Sequence, residues 1–325
     1  MSYGYWIFAT RRWAHDVIGW HPDTGEVVHI GGGHLRDPYG LVVHADRLLI
    51  ADKINHRILR WSRGSYDILG TRDLSGHRKT RIAGRLHSPG HPTSLGHVNG
   101  RGILVTYSAD NTIYAIGPDG GLDLVLGIPA GNPGQDSGLR EMVSIEDATR
   151  VPLRMPTNLA VLSDGGIAFI ERGFQIVRVW HPSVGLRCLF PVSQRNAWQN
   201  RTEVPALLPV SDYHPAFPTA LASDGQGDLF LADAVHRCVW HIPAKGGVMD
   251  RVMTADGPGP GGPAALSYGP DGTLWVMDYG SASIVGFRRS GADWHPVPTA
   301  AQPRQELQGF RLQGAGLVCT HLAFT

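Results

Sequence analysis

Three histidines, each one to four residues before a proline that opens an apolar segment, are the first candidates for chemistry in this chain: His34, His91 and His214. Imidazole is the side chain that gains and loses a proton near neutral pH, and it is a common metal ligand. If the three segments pack around one axis, the three rings face the same space. Their separation along the chain is too long for a local metal motif, so proton transfer and metal binding both stay open.

Two carboxylates could complete a site of this kind. Asp37 directly precedes the first of these prolines, and Glu171 ends an apolar segment where comparable segments carry Asp. Because a departure from a regular pattern often marks function, we expect Glu171 or Asp37 to be the partner of a catalytic histidine. In a dry pocket, such a pair brings the pKa values of its members toward neutrality, as acid–base catalysis requires.

Other side chains near the same segments are candidates for binding a substrate. Tyr39 and Asn158 follow strand-opening prolines within two residues, whereas Arg11 and Tyr279 lie in turns that correspond to one another. Asn158 could polarise a substrate through a hydrogen bond. A basic connection could hold an anionic ligand or form a solvated surface. Its cations are Arg72, Arg78, Lys79, Arg81 and Arg85.

The elements that must position these residues form a repeat. Each unit runs through a proline, a small turn, an apolar strand and a second apolar strand that ends on an acidic or polar turn. The prolines are Pro38, Pro92, Pro156, Pro218 and Pro263. Such a period, with turn residues between short strands, is typical of a β-propeller. Each unit supplies four strands, and we expect the bulky residues that end the third strands to pack between neighbouring sheets. They are Trp20, Trp61, Ile116, Trp180, Ile242 and Phe287.

The N-terminal unit lacks its first strand. Segments 5–10, 16–20 and 26–30 match the second, third and fourth strands of the other units. The final apolar run, 316–322, is the segment that can supply the missing strand. The sequence therefore predicts one all-β domain over residues 1–325. It is a six-bladed propeller of four-stranded blades, whose C-terminal strand closes the first blade and removes free sheet edges.

Three connections between units are much longer than the others: 70–91, 128–155 and 193–217. Long ordered loops in a compact domain are usually functional. Three of them on one rim would roof the mouth of the central channel and enclose a partly dry pocket. Such a pocket suits a small ligand better than a flat partner surface does.

Composition narrows the class of protein. The chain has 325 residues, 42% of them hydrophobic, and a formal net charge of +1, so no overall charge draws it to nucleic acid or membrane. No apolar run approaches a membrane span, and the N-terminus lacks the pattern of a secretory signal. The three cysteines form no CxxC pair, which is typical of a reducing compartment. We expect a cytoplasmic protein.

The turn after the second strand carries a resemblance to a known family. Segments 51–58 (Ala-Asp-Lys-Ile-Asn-His-Arg-Ile) and 232–237 (Ala-Asp-Ala-Val-His-Arg) resemble the NHL repeat, and weaker copies cover nearly the whole chain. The resemblance implies a six-bladed NHL-type propeller. Its structural relatives include the SMP-30/gluconolactonase, strictosidine-synthase and peptidyl-hydroxyglycine amidating-lyase groups, besides purely binding NHL domains. It also implies a structural role for the polar residues of the motif, namely Asp52, His56, Arg57, Asp233, His236 and Arg237.

The same resemblance leaves the cofactor unknown. The amidating lyase has zinc-binding histidines directly after the strand-opening prolines, where this chain has Tyr39, Thr93, Thr157, Thr219 and Ala264. Asn158 is similar to one calcium ligand of the SMP-30 group, but Thr219 stands where that group has Asp. A divalent metal therefore stays open. No nucleotide cofactor is expected, because residues 31–33 lack the GxGxxG spacing.

Two functions are favoured, and a ligand sensor without turnover is a third option. The first is a cytoplasmic enzyme that acts on a small organic molecule in the channel mouth by hydrolysis, elimination, isomerisation or cyclisation, with the histidines as proton donors or acceptors. The alternative is a non-catalytic NHL module that binds a protein, a peptide or RNA. RNA binding needs a continuous basic face, whereas the basic segment 51–101 is followed by an acidic segment 102–149. Fold alone does not decide between these functions.

Overall fold

The computed structural model of this chain is a six-bladed β-propeller, which confirms the fold that the repeat predicts. Each blade is an antiparallel sheet whose strands follow one another outward from the central axis. No helix within the described residues is long and apolar enough to cross a membrane. The structure describes residues 4–62, 64–69, 80–82, 85–87, 90–98, 102–117, 121–129, 142–144, 150–199, 201, 203–253, 262–300, 302–307 and 317–320.

Short strands make up most of the described chain. In order they are β1 (Trp6–Arg11), β2 (Asp16–Trp20), β3 (Val27–Ile30), β4 (Pro38–His44), β5 (Arg47–Asp52), β6 (Arg57–Ser62), β7 (Ser65–Leu69), β8 (Thr80–Ile82), β9 (Arg85–His87), β10 (Pro92–Val98), β11 (Gly102–Tyr107), β12 (Thr112–Ile116), β13 (Leu122–Gly127), β14 (Met142–Val143), β15 (Pro156–Val161), β16 (Ile167–Glu171), β17 (Ile176–His181), β18 (Gly185–Cys188), β19 (Leu207–Pro209), β20 (Pro218–Ser223), β21 (Leu229–Asp233), β22 (Cys238–Ile242), β23 (Val248–Met253), β24 (Pro263–Tyr268), β25 (Leu274–Asp278), β26 (Ser283–Ser290), β27 (Asp293–Pro296) and β28 (Leu317–Thr320). The helices are α1 (Arg195–Trp198) and α2 (Arg304–Leu307).

The strands group into blades in chain order. Blade two is β4–β7, blade three β10–β13, blade four β15–β18, blade five β20–β23 and blade six β24–β27, each with its innermost strand first. Blade one is β28-β1-β2-β3. Its innermost strand pairs antiparallel with β1, with Leu317 opposite Ala9 and Thr320 opposite Trp6. The predicted closure of the ring by the C-terminal strand is thereby confirmed.

Acidic side chains tie the connections between blades to the turns after the second strands. Asp52, Glu171 and Asp233 each accept a hydrogen bond of 2.7 Å from the backbone N–H two residues before the proline of their own blade. In blade three Asp110 has this role, with the Gly90 N–H as donor at 2.6 Å. The acid of the repeat is therefore a clamp that sets where the innermost strand begins.

The turns that follow the second strands share one backbone conformation. In every blade the last turn residue is left-handed, with φ between 47° and 58°, and none is glycine. These residues are His15, His56, Asn111, Gln175, Arg237 and Ala282. The six turns are therefore equivalent, and the residue three positions before the left-handed residue occupies a corresponding position in each blade.

Apolar packing joins each blade to the next. The bulky residues that end the third strands are buried, as the sequence predicts: Trp20, Trp61, Ile116, Trp180, Ile242 and Phe287. Trp20 of blade one packs edge-on against Trp275 of blade six, with ring centroids 5.9 Å apart. Burying a large apolar side chain contributes about 1.5–3 kcal/mol, so these contacts hold the ring together.

A ring of leucines closes the central channel. Each blade contributes one leucine from its innermost strand: Leu41, Leu95, Leu159, Leu221, Leu266 and Leu317. The space left among them and their neighbours is only about 50 Å³. A gap of this size is too small for an organic ligand. The leucine of the repeat thus separates the two ends of the channel.

Two long connections each add a strand to the outside of a blade, away from the channel mouth. β14, from connection 128–155, pairs with β18, the outermost strand of blade four. β19, from connection 193–217, pairs in the same way with β23 of blade five. These added strands cover exposed sheet edges, so the prediction that the long connections roof the mouth is wrong for these parts.

Candidate functional site

A cavity of about 420 Å³ occupies the mouth of the channel, at the end where the innermost strands begin. It lies directly above the leucine ring and shares Thr93, Thr157 and Asn158 with the lining of that narrow channel. Blades two to five line it through Tyr39, Lys53, Ile54, His91, Thr93, Ser108, Ala109, Met155, Thr157, Asn158, Arg172, Phe217, Pro218 and Thr219. The leucine ring makes it a pocket with a closed floor.

Irregular strand starts aim side chains into this pocket. The pairing register shifts between Pro92 and Ser94 in β10, and between Pro218 and Ala220 in β20. A longer irregularity surrounds Asn158 in β15, whose backbone is left-handed with φ 50°. Bulges of this kind bend a strand and turn a side chain that would otherwise alternate between the two faces.

Two cations and one carboxylate stand beside Tyr39 on the blade-two side. Asp37 accepts hydrogen bonds from Arg12 at 2.6 and 3.0 Å and from the Lys53 ammonium at 3.3 Å. The Arg12 guanidinium and the Lys53 ammonium lie 3.8 and 4.4 Å from the centre of the Tyr39 ring. Burial would raise the pKa of Asp37, but the bonds and charges of Arg12 and Lys53 outweigh it and lower that pKa. The group therefore carries an excess of one positive charge.

His91 is the imidazole that lines the cavity. Its Nδ1 lies 3.3 Å from the Lys53 carbonyl oxygen, which can only accept, so Nδ1 carries the proton and Nε2 keeps a lone pair in the neutral ring. The His91 backbone N–H donates to His56 Nδ1 at 3.2 Å, and the two rings are 4.3 Å apart. These contacts hold His91 in a left-handed backbone conformation, φ 63°, that few residues other than glycine adopt.

Hydroxyl and amide groups form the polar floor and also tie blades together. Thr93 Oγ1 lies 2.7 Å from Ser108 Oγ, which donates to the carbonyl of Pro156 in blade four at 2.6 Å. Asn158 donates to the Thr219 carbonyl in blade five at 2.8 Å. The floor is thus held by bonds between blades, which keeps its groups in fixed positions.

The other predicted histidines lie away from the cavity. His34 is exposed, and its ring lies against Tyr66 with centroids 4.8 Å apart. His214 is buried, and its Nδ1 donates to the Pro215 carbonyl at 2.9 Å. Burial lowers the pKa of His214. The sequence predicts three histidines around one axis. Of these, His91 belongs to the cavity lining.

Glu171 lies outside the cavity lining and has structural partners. Its side chain is fully buried, with one oxygen accepting from the Arg154 backbone N–H at 2.7 Å and the other from Arg178 at 3.0 Å. Burial raises the pKa of Glu171, although the Arg178 charge acts in the opposite direction. The departure from Asp in the repeat is thus explained by a longer acid that makes the same clamp and adds a buried arginine.

The predicted substrate-binding residues divide in the same way. Tyr39 and Asn158 line the cavity. Arg11 instead pairs with Asp16 on the neighbouring strand, and Tyr279 is partly exposed outside the cavity lining. Arg85 lies in β9, where the structure does not describe its side chain, and the other cations of that basic connection lie outside the described residues or side chains.

Sequence reasoning missed the two cations of the cavity, Lys53 and Arg172. Each directly follows the clamping acid of its blade, Asp52 or Glu171. The corresponding residues in the other turns are Arg12, Ser108, Ala234 and Tyr279. Because the six turns are equivalent, their shared position identifies Lys53 and Arg172 as well as Tyr279 and Arg12. The sequence analysis uses this position for Tyr279 and the Arg11–Arg12 pair alone.

Within the described part of the chain, no group of three or more His, Cys, Asp or Glu side chains is arranged to hold a metal ion. Among the described residues of the cavity lining, His91 is the one His, Cys, Asp or Glu side chain, and the other polar groups are hydroxyls, an amide and two cations. Two cations in the same lining disfavour a divalent metal there, because like charges repel. The cavity lining therefore suits proton transfer and hydrogen bonding.

The fold is shared with several solved propellers. A catalytically inactive virginiamycin B lyase from Staphylococcus aureus with quinupristin is 14% identical, with a TM-score of 0.54 over 89% of this chain and 79% of the other. The nidogen/laminin complex is 12% identical, with a TM-score of 0.60 over 97% and 98%. A gluconolactonase from Xanthomonas campestris is 17% identical, with a TM-score of 0.55 over 85% and 80%.

No family model matches this chain, and no curated protein matches it. The six blades follow from the sheet order, and the solved structures, a gluconolactonase among them, have a similar fold. Their identities are low, and they include enzymes as well as a protein-binding module. The likeness therefore shows the fold, and function has to be argued from the cavity itself.

Proposed function

We propose that this protein is an enzyme that binds a small organic molecule in the mouth cavity and transfers a proton there through His91. The reaction would be a hydrolysis, elimination, isomerisation or cyclisation. The observation that carries the proposal is one oriented imidazole in the lining of a pocket with a closed floor. The free thiols of Cys188 and Cys238 suit a cytoplasmic setting.

The size and lining of the cavity support a small ligand. A volume of about 420 Å³ lies within the range of pockets that bind small organic molecules, roughly 300–1,000 Å³. Tyr39, Phe217 and Met155 provide apolar contact, while the hydroxyls and the Asn158 amide can fix orientation. Since the leucine ring closes the floor, substrate and product would pass through the same mouth.

The residue before the strand-opening proline is left-handed in several blades. Asp37, His91, Met155 and Gly262 have φ values of 55°, 63°, 53° and 85°. The conformation therefore belongs to the repeat, and glycine adopts it without penalty in blade six. What distinguishes position 91 is a titratable ring in the lining of the cavity.

A second candidate function is the binding of a protein partner across the mouth. Its support is a set of exposed apolar side chains in equivalent turns of this face: Trp13, Ile54 and Val235 are 56%, 43% and 51% exposed. Exposed apolar groups around one surface favour a protein over RNA as the partner. The nidogen/laminin complex is an example of a propeller of this shape in a protein complex.

Replacement of His91 by Gly or Asn tests the enzyme proposal, because both residues tolerate the left-handed backbone while removing the proton-transferring ring. Native protein would be incubated with a panel of lactones, esters and cyclic peptides, and each compound followed by mass spectrometry. We expect at least one compound to be converted, and the rate to fall about 100-fold or more in both variants with binding retained.

The matched control is His295→Asn, which changes an exposed histidine on the outermost strand of blade six. It should leave the rate unchanged. Equal rates for native protein and both His91 variants would remove His91 from the chemistry. If no compound binds or reacts, while Trp13→Ser and Val235→Ser abolish retention of a defined protein partner, the second candidate replaces the first.

A further inference from the structure

Building on the proposed function, we propose that the ligand of the mouth cavity carries hydrogen-bond donors, O–H or N–H groups, at the end that meets the floor. Hydroxyls and one amide supply the polar groups of that floor: Thr93, Ser108, Thr157, Asn158 and Thr219. The three threonines each hold the second position of their innermost strand. Since a hydroxyl has one proton, its partners decide whether it can donate to a ligand or only accept.

The protons of Ser108 and Thr93 are both used within the protein. Ser108 Oγ donates to the carbonyl oxygen of Pro156, in the next blade, at 2.6 Å. Because that proton is used, the 2.7 Å contact between Thr93 Oγ1 and Ser108 Oγ needs the Thr93 proton, whose other acceptor, the Thr106 carbonyl, is more distant at 3.3 Å. The buried Thr106 hydroxyl, 2.9 Å away, then donates to Thr93. The hydroxyls thus point one way, toward the Pro156 carbonyl, and leave only lone pairs for a ligand.

The blade-five side of the floor follows the same rule. Thr219 Oγ1 donates to the carbonyl oxygen of Pro263, in the next blade, at 2.7 Å, so this hydroxyl too can only accept from a ligand. Asn158 Nδ2 donates to the Thr219 carbonyl at 2.8 Å, which fixes the amide orientation and leaves its Oδ1 oxygen as an acceptor. The donors that the floor retains are the second Asn158 N–H and the Thr157 hydroxyl, so its acceptors outnumber its donors.

His91 adds an acceptor to the same lining. The Lys53 carbonyl takes the Nδ1 proton, so Nε2 offers a lone pair in the neutral ring. A ligand with only carbonyl or ether oxygens at its inner end would set lone pairs against lone pairs, and an unpaired buried acceptor weakens binding about tenfold. An O–H or N–H group pairs with these acceptors instead. Tyr39 and Phe217 supply aromatic surface for the apolar body of the same molecule.

Ligand-observed NMR titration of the full chain with matched pairs of compounds tests the inference. The hydroxyl pair is styrene glycol and its dimethyl ether, and the N–H pair is phenylacetamide and N,N-dimethylphenylacetamide. We expect at least one donor compound to bind about tenfold more tightly than its methylated partner. The pair with the larger ratio shows whether the floor binds a hydroxyl or an N–H group.

The variants Thr93→Val and Thr219→Val keep the shape of threonine and remove its oxygen, and Thr24→Val is the control in an exposed turn outside this cavity. Each cavity variant should weaken binding of the donor compound about fivefold and leave its methylated partner unchanged, while Thr24→Val changes neither. Ser108→Ala should act in the opposite sense. It returns the Thr93 proton to the floor, so the preference for the donor compound should shrink to about threefold or less. A cooperative thermal transition well above the titration temperature shows that each variant is folded.

The outcomes separate this inference from the proposed function. If each methylated compound binds as tightly as its partner, or if the two valine variants keep the native preference, the donor inference is wrong and small-molecule binding stands. A wider preference in Ser108→Ala would also overturn it, because the hydroxyls would then point the other way. The same holds if only compounds without O–H or N–H groups bind. If neither these probes nor any compound of the reaction panel binds, the proposed function fails as well.

Discussion

Consecutive residues in the turns of blades two and four have opposite surroundings. Asp52 and Glu171 are fully buried and accept hydrogen bonds that fasten the incoming connection. Lys53 and Arg172, one residue later, line the cavity. Because the turn conformation is the same, the difference comes from position in the turn. The acid belongs to the fold, whereas the next residue can vary in each blade and give the mouth its chemistry.

The clamp itself is built in different ways. In blade four Glu171 is paired with Arg178, whose side chain is 2% exposed. In blade five Asp233 accepts from the Tyr213 hydroxyl at 2.8 Å and from His236 at 2.9 Å. One blade thus uses a permanent cation and the other a titratable one. This difference predicts that the blades respond differently to mutation and to pH.

The largest effect is expected from breaking the clamp of blade four. Glu171→Gln removes the charge that balances buried Arg178, and loss of one partner of a buried ion pair typically destabilises a protein by about 3–5 kcal/mol. Arg172→Gln, the adjacent change on the cavity side, should alter stability by about 0.5 kcal/mol or less. Urea unfolding of both variants measures the contrast.

The same pair of variants sharpens the assignment of roles. Glu171→Gln that unfolds like native protein but loses catalytic turnover would return Glu171 to the catalytic residues, as the sequence suggested. If Glu171→Gln is less stable but its folded fraction keeps native turnover, the result supports a structural role for Glu171 in the clamp. Arg172→Gln should give the reverse result, with native stability and weaker binding of the compound that native protein converts.

An intermediate effect is expected from pH acting on the clamp of blade five. Burial would lower the pKa of His236, but its hydrogen bond and charge interaction with Asp233 raise that pKa above its ordinary value of 6.5. A raised pKa in the folded state means that the stabilisation is complete below pH 6.5. It is lost as pH rises through the folded value. The unfolding free energy should therefore fall as pH rises above 6.5.

His236→Gln should flatten this decline while leaving the Glu171–Arg178 clamp untouched. His241 contributes a decline of the same sign, since Asp250 and Asp228 raise its pKa against burial, so His241→Gln serves as the comparison. His214 acts in the opposite sense. Burial lowers its pKa, and the resulting stabilisation is lost as pH falls below 6.5. Identical pH profiles for native and His236→Gln protein would refute the assignment.

The fold was predictable because fixed residue types in the repeat mark where its strands begin and end. The prolines and the bulky ends of the third strands each have one structural task, so their spacing predicted six blades and the closing strand. The clamp also has a sequence signal, because an acid recurs at the end of the second strand. What the sequence could not show was that Glu171 serves the same clamp as Asp52, because its partner Arg178 is one strand away.

The site was only partly predictable, for a physical reason. Tyr39, His91 and Asn158 line the cavity because they follow or precede the strand-opening prolines closely. His34 and His214 also lie near prolines, but a connection of four residues is long enough to turn a side chain to solvent or into a core. Distance from the proline therefore mattered more than residue type.

The smallest and sharpest test concerns the ion pairs beside Lys53. Asp37→Asn removes the carboxylate of that group, and asparagine tolerates the left-handed backbone there, φ 55°. Arg12→Gln removes a cation and leaves Asp37 paired with Lys53. For ion pairs that are partly exposed, each change should lower the unfolding free energy by about 1 kcal/mol or less.

The response of these variants to salt distinguishes the mouth from the clamp. Asp37→Asn should lose more stability than Arg12→Gln, since it breaks the bonds to both cations, as measured by urea unfolding at low and at high salt. The loss should shrink at high salt, because salt screens charges at a mouth open to water. The larger loss in Glu171→Gln should persist, because Glu171 and Arg178 are buried. A loss in Asp37→Asn that is as large and does not respond to salt would make Asp37 a buried clamp as well, and the contrast between the fold and the cavity lining would not hold at this turn.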